Sequence, residues 1–246
     1  MSGESVSGSA GQAADVQAAD VATAGLEGPG LFVVVEGGDG AGKTTQLDLL
    51  QRWLQEQGHD VERTREPGGT TVGESIRELV LEHGRGEVDP RTEALLFAAS
   101  RAAHVAQRIR PAVRRGAIVL CDRYIDSSIA YQGAGRGLGV EDVASINSWA
   151  TEGLVPDLTI LLDVEPSTAA RRRAEREGAA DRIESADEAF HGVLRAAFLD
   201  RAAAAPEKYL VLEAAAPAEQ LHQAIRPALE DLVASHPGLA QRSGGA

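Results

Sequence analysis

Runs of apolar residues alternate with helix-like stretches along most of the chain. The run 31–36, LFVVVE, predicts a buried strand, and 43–57, which ends before Gly58, predicts a helix. The same pattern predicts further strands at 59–66, 117–122, 157–163 and 208–214, and further helices at 72–83, 90–110 and 217–234. Strands that alternate with helices indicate a mostly parallel sheet covered on both faces. Ligands of such sheets bind at the carboxyl ends of the strands.

The two ends of the chain differ in composition from the middle. Residues 1–30 are rich in Gly, Ala and Ser, contain four acidic residues and have no Lys or Arg. Such a segment buries too little apolar surface to offset the entropy of ordering, so we expect a flexible N-terminal leader. Residues 236–246 have a similar composition and predict a flexible C-terminal tail. One folded domain is therefore expected over 31–235.

Length and charge narrow the class of protein. The chain has 246 residues, 43% of them hydrophobic, and a formal net charge of -13. A strongly acidic chain is a poor binder of nucleic acid or acidic membranes, although clustered basic residues can still hold a small anion. The single cysteine, Cys121, excludes an intrachain disulfide. We expect a cytoplasmic protein that acts on small molecules, without nucleic-acid or membrane partners.

Residues 36–45, EGGDGAGKTT, have the spacing of a phosphate-binding loop between a strand and a helix. In such a loop, backbone N–H groups and the start of the helix face phosphate oxygens. Lys43 is predicted to reach the β- and γ-phosphates of ATP, and the Thr44 hydroxyl to ligate Mg²⁺. The predicted ATP-binding residues are Gly37, Gly38, Asp39, Gly40, Ala41, Gly42, Lys43, Thr44 and Thr45.

A second carboxylate is expected near the loop, to hold water on the metal. Asp122 and Asp163 each end a predicted strand, and Asp122 is favoured because the strand beside the loop strand in P-loop kinases is usually the third. A guanine-reading Asn-Lys-x-Asp element is excluded, because Asn147 is the only asparagine and lies in NSWA. A GTPase is therefore excluded, whereas the loop alone does not indicate which phosphoryl acceptor is used.

The helix predicted at 90–110 has one apolar face by spacing, formed by Leu95, Ala99, Ala102, Ala106 and Ile109. Phe97 and Arg101 fall on the opposite side. This pair suits a planar ring with carbonyl acceptors, or else Phe97 packs under a loop and Arg101 is a solvated cation. Arg123, beside Asp122, is open to two interpretations as well: a phosphate ligand or a surface ion pair.

Six segments together resemble the thymidylate kinase family, in its bacterial form. They are EGGDGAGKTTQ, TREPGGT, FAASR, CDRY, AYQGAGRG and PDLTILLDV, and the resemblance extends from about residue 31 to 232. It implies that ATP phosphorylates dTMP to dTDP with Mg²⁺. It also implies an α/β P-loop fold with three α/β/α layers, a five-stranded parallel sheet of order 2-3-1-4-5, and a homodimer.

The resemblance also implies roles for individual residues. Phe97 matches the residue that stacks on thymine, Arg101 the one that bonds the base, and Arg123 the arginine on the acceptor phosphate. Tyr131 matches a tyrosine that crowds a 2′-hydroxyl. Asp39 matches a carboxylate near the dTMP sugar and phosphate. The remaining substrate-binding predictions are Arg65, in a loop whose contacts are partly structural, Ser128, near the base, and Gln132.

Lys43 is the only cation of the phosphate loop, whereas 171–182, RRRAEREGAADR, contains five arginines. Phosphoryl transfer requires charge neutralisation around the transferred group. We therefore expect a mobile lid at about 171–185 that closes over ATP, although a solvated helix paired with Glu175 and Glu177 has the same composition. Members of the resembling family without a loop arginine carry basic residues in the lid. The predicted catalytic residues are Lys43, Arg123, Arg172, Arg176 and Arg182.

Two other functions remain open on the sequence alone. One is a P-loop kinase for another nucleoside monophosphate or a nucleoside. The other is a nucleotide-binding regulator without turnover. The FAASR and AYQG segments argue against the first, and the intact Lys43, Thr44, Asp122 and Arg123 argue against the second.

Overall fold

The computed structural model describes residues 28–175, 183 and 188–240. Most of the predicted leader, the final residues 241–246 and the greater part of the predicted lid lie outside these ranges. Arg176 and Arg182 are among the residues that are not described.

The described residues form one five-stranded parallel sheet. The strands are β1 (Leu31–Glu36), β2 (Val61–Arg65), β3 (Ile118–Asp122), β4 (Leu158–Asp163) and β5 (Tyr209–Glu213). Their order is β2-β3-β1-β4-β5, with every neighbouring pair parallel. The predicted fold class and strand order are confirmed. The carboxyl ends of β1 and β3 lie side by side, because Val35 is paired with Asp122.

Helices cover the sheet and connect its strands. They are α1 (Lys43–Glu56), α2 (Thr71–Leu81), α3 (Pro90–His104), α4 (Arg110–Arg114), α5 (Ile125–Ser128), α6 (Val140–Ala150), α7 (Pro166–Ala174), α8 (Glu188–Ala204), α9 (Ala218–Ser235) and α10 (Pro237–Ala240). A π-helical turn, Val105–Ile109, joins α3 to α4, and another, Ile129–Gly135, continues α5. A 3₁₀ turn, Pro206–Lys208, precedes β5.

The sheet has one hydrophobic core on each face, because side chains alternate along a strand. Leu31, Val33 and Val35 of β1 point into a core shared with α1 and α9. Phe32 and Val34 point into a second core, shared with the π turn and α4. Residues 28–30 and α10 belong to this fold although both fall in predicted flexible ends: Gly30 donates to the Val113 carbonyl, and Leu239 is buried in the first core.

The apolar face predicted for the helix 90–110 exists, but the expectation that it packs against the core, with Phe97 and Arg101 facing away, is wrong. Leu95 is 58% exposed, and Ala99 and Ala106 are exposed as well. The opposite side, which carries Arg101, is the buried one. Two physical reasons explain the difference. The buried side contains polar groups that are satisfied by hydrogen bonds, so burial costs little there. The π turn also shifts the phase of the helix before Ile109, which is buried.

Candidate active site

The loop between β1 and α1 is shaped by its glycines. Gly37, Gly40 and Gly42 have φ angles of 134°, 88° and 97°, which L-residues rarely adopt. A Cβ atom at Gly37 would lie 2.5 Å from the Leu162 carbonyl oxygen, and one at Gly40 would lie 2.7 Å from that of Ala169. The loop therefore requires glycine at Gly37 and Gly40 for space as well as for conformation, and at Gly42 for conformation alone.

Lys43 opens α1 and turns back over the loop. Its Nζ donates hydrogen bonds of 3.0 Å to the carbonyl oxygens of Gly37 and Gly38. Burial lowers the pKa of Lys43, as does the charge of Arg123, whereas Asp122 and Asp39 act in the opposite direction. Thr44 and Thr45 follow at the exposed start of the helix. The loop thus concentrates one buried ammonium group beside free helix N–H groups, an arrangement that suits phosphate.

Arg123 directly follows β3, in the left-handed region at φ 70°. Its Nη1 donates to the Gly37 carbonyl at 3.0 Å and to Ser127 Oγ at 2.9 Å. Its Nη2 donates to the Asp39 carboxylate, and the guanidinium lies 5.2 Å from the centre of the Tyr131 ring. The Arg123–Asp39 pair is mostly buried, with 15% exposure on each side chain. Arg123 therefore does not form a surface ion pair with Asp122. It connects Asp39 of the glycine loop to Ser127 and Tyr131.

Both carboxylate oxygens of Asp39 accept hydrogen bonds. Tyr131 donates its hydroxyl to Asp39 Oδ2 at 2.6 Å, and Arg123 binds the other oxygen. Burial alone would raise the pKa of Asp39, but the charges of Arg123 and Lys43 and these hydrogen bonds hold it well below its ordinary value. The Asp39 carboxylate is therefore ionised at neutral pH and fixes both partners.

A cavity of about 120 Å³ opens beside this cluster. Seven of the eight predicted substrate-binding residues line it, namely Asp39, Phe97, Arg101, Arg123, Ser128, Tyr131 and Gln132. The lining also includes Glu66, Pro67, Arg77, Leu81, Ser127 and Ile183. Six separate segments of the sequence thus meet at one place, at the carboxyl ends of the strands.

Arg65 lies outside this lining. It is the last residue of β2, and its Nη2 is ion-paired with Glu74 at 2.8 Å, with both side chains more than 40% exposed. The next residue, Glu66, points the other way and is buried. The alternation of side chains along an extended chain explains why the two neighbours have opposite surroundings.

Arg101 is buried, with 1% exposure, and is bound by the protein itself. Its Nε donates to Glu66 at 2.6 Å, and its Nη2 donates to the Tyr124 carbonyl at 3.0 Å. Its Nη1 donates to Ser128 Oγ at 3.0 Å and to the Asn147 side chain. Because a guanidinium has five N–H donors, these four bonds leave one for the cavity. The solvated-cation interpretation of Arg101 is thus wrong.

The other polar lining residues are also held by neighbours. Gln132 Nε2 donates to Glu93 at 2.9 Å, and Arg77, on α2, donates from Nη1 to the Pro67 carbonyl at 3.0 Å. Sequence reasoning missed Arg77. The available signal was its spacing of four from Leu81, which places both residues on one side of a predicted helix; both line the cavity.

Two residues fit a magnesium ion. Asp122 Oδ1 is buried and has no hydrogen-bond partner among the described residues, and Thr44 is exposed at the start of α1. The described residues contain no group of three or more His, Cys, Asp or Glu side chains that could hold a metal. Mg²⁺ needs no such group, since it is commonly bound by one or two protein ligands together with substrate phosphates and water.

Asp163, the other candidate carboxylate, has a different partner. Arg195 binds it with two bonds, Nε to Oδ1 at 2.6 Å and Nη2 to Oδ2 at 2.9 Å. Both oxygens are therefore engaged in a two-pronged ion pair between β4 and α8. This geometry favours Asp122 as the metal-side carboxylate.

The arginines that end α7 lie over the phosphate loop. Arg173 Nη1 donates to the Asp39 carbonyl at 2.9 Å, and Arg172 Nη1 lies 3.5 Å from the Gly40 carbonyl oxygen. Both side chains are half-buried, unlike those of a solvated helix. Arg173 was not among the predicted catalytic residues. Arg176 and Arg182 lie outside the described residues.

A buried carboxylate behind the site was also missed. Glu36, the last residue of β1, is fully buried and accepts hydrogen bonds from the Tyr124 N–H at 2.7 Å and the Ser127 hydroxyl at 2.7 Å. The sequence signal was a charged residue at the end of an otherwise apolar strand. Burial raises the pKa of Glu36 to about 7, and the nearby charge of Asp126 acts in the same direction.

A glycine loop between the first strand and helix of a parallel α/β sheet, with a cation cluster facing an adjacent cavity, defines a P-loop kinase of small nucleotides. Comparison with known proteins narrows the class. The family model "Thymidylate kinase" matches residues 35–225, and the chain belongs to the thymidylate kinase family. Members of this family phosphorylate dTMP to dTDP.

The relatives cover nearly the whole described fold. The chain is 53% identical to the thymidylate kinase of Leifsonia xyli over 205 residues, which is 83% of this chain and 97% of that protein. It is 51% identical to the thymidylate kinase of Clavibacter michiganensis over 206 residues, 84% of this chain and 97% of that one. The crystal structure of thymidylate kinase from Ehrlichia chaffeensis superposes with a TM-score of 0.66 at 32% identity, covering 82% and 98% of the two chains.

Proposed function

We propose that this protein transfers the γ-phosphoryl group of ATP to dTMP, with Mg²⁺ as cofactor, through the residues of this cleft. The observation that carries the assignment of roles is the cavity beside the phosphate loop, where two aromatic rings, three arginines and the ionised Asp39 carboxylate face one space. In the reaction, a dTMP phosphate oxygen forms a bond to the γ-phosphorus as the bond to the ADP oxygen breaks. Such a reaction depends on alignment and charge stabilisation.

On the acceptor side, Arg123 binds the dTMP phosphate. Its fixed attachment to Asp39, Gly37 and Ser127 aims the guanidinium at the boundary of loop and cavity. Phe97 stacks on thymine, and Arg101, Ser128 and Gln132 form its polar surroundings. Tyr131 packs against the deoxyribose of dTMP and leaves no room for a 2′-hydroxyl. Arg65, which lies outside the cavity lining, contributes through its loop rather than by direct contact.

On the donor side, the N–H groups from Gly37 to Thr45 and the start of α1 bind the ATP phosphates. Lys43 exchanges its loop carbonyl partners for phosphate oxygens. Thr44 and Asp122 hold Mg²⁺, which neutralises charge on the phosphates when it is bound. Arg172, which lies over the loop, adds positive charge there. Arg176 and Arg182, which lie outside the described residues, are proposed to stabilise the transferred phosphoryl group as well.

We also propose a homodimer, formed through the side of α3 that carries Leu95 and Ala99. This side is apolar yet exposed, and α6, which packs against α3, exposes 84% of Trp149. Exposed apolar side chains on two helices that pack together are typical of an interaction site. A second copy of the chain fits because a two-fold contact requires only one self-complementary surface.

A cytoplasmic location is proposed as well, because the reaction consumes ATP and nucleotides in the compartment that holds them. Within the described residues, no helix has the length and apolar character needed to cross a membrane.

The test is a coupled ADP-release assay with dTMP, dUMP, UMP, CMP and AMP as acceptors. We expect the highest kcat/KM for dTMP and a complete requirement for a divalent cation. Equal rates with AMP would favour the other candidate, a kinase for a different nucleoside monophosphate. ATP binding without turnover on any acceptor would favour a regulator.

A further inference from the structure

Glu36 is a fully buried carboxylate that touches the turn after β3 rather than the cavity. Its Oε1 accepts from the N–H groups of Tyr124 at 2.7 Å and Ser127 at 3.2 Å. Its Oε2 accepts from the Ser127 hydroxyl at 2.7 Å. Burial of a carboxylate costs free energy unless the group accepts hydrogen bonds. The three hydrogen bonds that Glu36 accepts offset this cost and fix the position of its side chain.

Ser127 connects this carboxylate to Arg123. Arg123 Nη1 donates to Ser127 Oγ at 2.9 Å, and the Ser127 hydroxyl donates to Glu36. A hydroxyl has one proton, and an ionised carboxylate can only accept. Glu36 therefore sets the direction of the Ser127 hydroxyl and leaves its lone pairs for the guanidinium. The order of donation is Arg123 to Ser127 to Glu36.

Glu36 also fixes the backbone on which Arg123 is mounted. Arg123 has φ 70°, a region that non-glycine residues adopt only where the surroundings impose it. Its own N–H donates to the Val35 carbonyl at 3.0 Å, and the next N–H, that of Tyr124, donates to Glu36. The carboxylate thus holds the turn and the end of the Arg123 side chain at once.

We propose that Glu36 is a positioning residue for phosphorylation of dTMP: through Ser127 and the Tyr124 N–H, it holds the Arg123 guanidinium toward the acceptor phosphate. Glu36 contacts no substrate itself. The inference rests on the proposed role of Arg123. A role in the fold alone would predict a loss of stability without a selective effect on dTMP.

The test combines Ser127→Ala, Glu36→Gln, the double variant and a matched control. Ser127→Ala removes the connecting hydroxyl. Glu36→Gln keeps the shape of the side chain but places an NH₂ donor group where the carboxylate only accepts hydrogen bonds. The control is Asp157→Asn: Asp157 Oδ2 accepts from the Phe32 N–H at 2.8 Å, at the other end of the same strand. The melting temperature and the KM values for dTMP and ATP are measured for each, at about pH 8, where Glu36 is ionised.

We expect both single variants to raise the KM for dTMP by about tenfold to a hundredfold, the usual effect of a lost hydrogen bond to a charged group, and to change the KM for ATP by less than about twofold. The double variant should equal the worse single variant, because both changes interrupt one connection. Asp157→Asn should lower only the melting temperature.

The inference is overturned if Ser127→Ala, once shown to be folded, keeps the KM for dTMP. It is also overturned if both KM values rise together or if the effects multiply in the double variant. Should Glu36→Gln fail to fold, Ser127→Ala alone decides. Failure of the proposed function is distinguishable, because wild-type protein would then not phosphorylate dTMP at all.

Discussion

Tyr131 and Asp39 are joined by a hydrogen bond of 2.6 Å from the tyrosine hydroxyl to Asp39 Oδ2, across 92 positions of sequence. The bond anchors a helical segment to the phosphate loop. It also fixes the Tyr131 ring at the side of the cavity, so the position of this aromatic ring depends on a residue of the glycine loop.

Tyr131→Phe should therefore separate two roles of this residue. It keeps the ring, so we expect selection of dTMP over its ribose counterpart to survive, while stability falls by about 1.5–3 kcal/mol through the lost hydrogen bond to a charged group. Tyr131→Ala should reduce the selection by roughly 10- to 200-fold, because the crowding that costs about 1–3 kcal/mol is removed. The measurement is kcat/KM for both nucleotides. Unchanged selection in Tyr131→Ala would assign discrimination to another residue.

Arg123→Ala should impair use of dTMP far more than binding of ATP. Loss of one partner of a buried, charge-assisted contact costs about 2–4 kcal/mol in kcat/KM. Affinity for an ATP analogue, measured by calorimetry, should stay nearly constant.

The matched control for Arg123 is Arg115→Ala. Arg115 also pairs with carboxylates, Asp60 at 3.2 Å and Glu62, but is 45% exposed and lies before the amino end of β3. It should have wild-type kinetics. A parallel loss of both affinities in Arg123→Ala would mean that the residue serves the structure of the loop.

The lid arginines should affect kcat more than dTMP binding. An arginine that stabilises the transferred group contributes roughly 10³–10⁵ in rate, whereas a solvated one contributes under about 1 kcal/mol. We expect at least one of Arg172→Ala, Arg173→Ala, Arg176→Ala and Arg182→Ala to lower kcat about a hundredfold or more. Arg85→Ala, which removes an exposed pair with Glu82, is the control. Near-normal kcat in a folded quadruple variant would exclude the lid as a source of charge.

Glu36 should make stability depend on pH between about 4.5 and 7. Burial and Asp126 raise its pKa from 4.5 to about 7, against the opposing charge of Arg123. A raised carboxyl pKa means that the folded state binds the proton more tightly. The contribution of Glu36 to folding stability is therefore fully present at pH values below its pKa in the unfolded state. It is lost as pH rises through its pKa in the folded state, by roughly 3 kcal/mol in total.

Urea unfolding of wild type and Glu36→Gln at a series of pH values checks this expectation. The free energy of unfolding of wild type should fall relative to the variant as pH rises across the window. Parallel curves would show that Glu36 does not titrate in this range. Asp39, whose pKa is lowered from 3.8, acts below the window and does not confuse the comparison.

Leu95→Glu should convert the proposed dimer into a monomer, because it places a charge in an apolar contact surface. Sedimentation equilibrium measures the change. Val193→Glu on α8, where Val193 is 45% exposed, introduces the same charge elsewhere and should leave the dimer intact. A monomeric wild type would remove the proposed interface.

The sheet and the phosphate loop were predictable because their signals are local. Apolar runs mark the strands, and Gly37, Gly42 and Lys43 have a fixed spacing that follows from phosphate geometry. The bounds of β2 differ from the prediction, since the extended region 59–66 pairs only over Val61–Arg65. The start of α3 was predicted correctly at Pro90, where Asp89 caps the N–H groups of Arg91 and Thr92; its end at His104 was not, because the π turn and α4 continue the helical path.

The burial of α3 was not predictable from periodicity. Its core-facing side includes Arg101 and His104, and both are satisfied by Glu66, which comes from another segment. Glu36 and Arg77 escaped notice for the same reason. Each has a weak signal within its own segment, but the surroundings that give it a role arise only when distant segments meet.

The four internal hydrogen bonds of Arg101 have a thermodynamic consequence. A free arginine side chain loses on the order of 2 kcal/mol of rotamer entropy when it is immobilised. Here that loss occurs during folding, since Glu66, Ser128, Asn147 and the Tyr124 carbonyl already hold the guanidinium. A nucleotide that meets Arg101 therefore binds a rigid, preorganised group and retains more of its interaction energy as affinity.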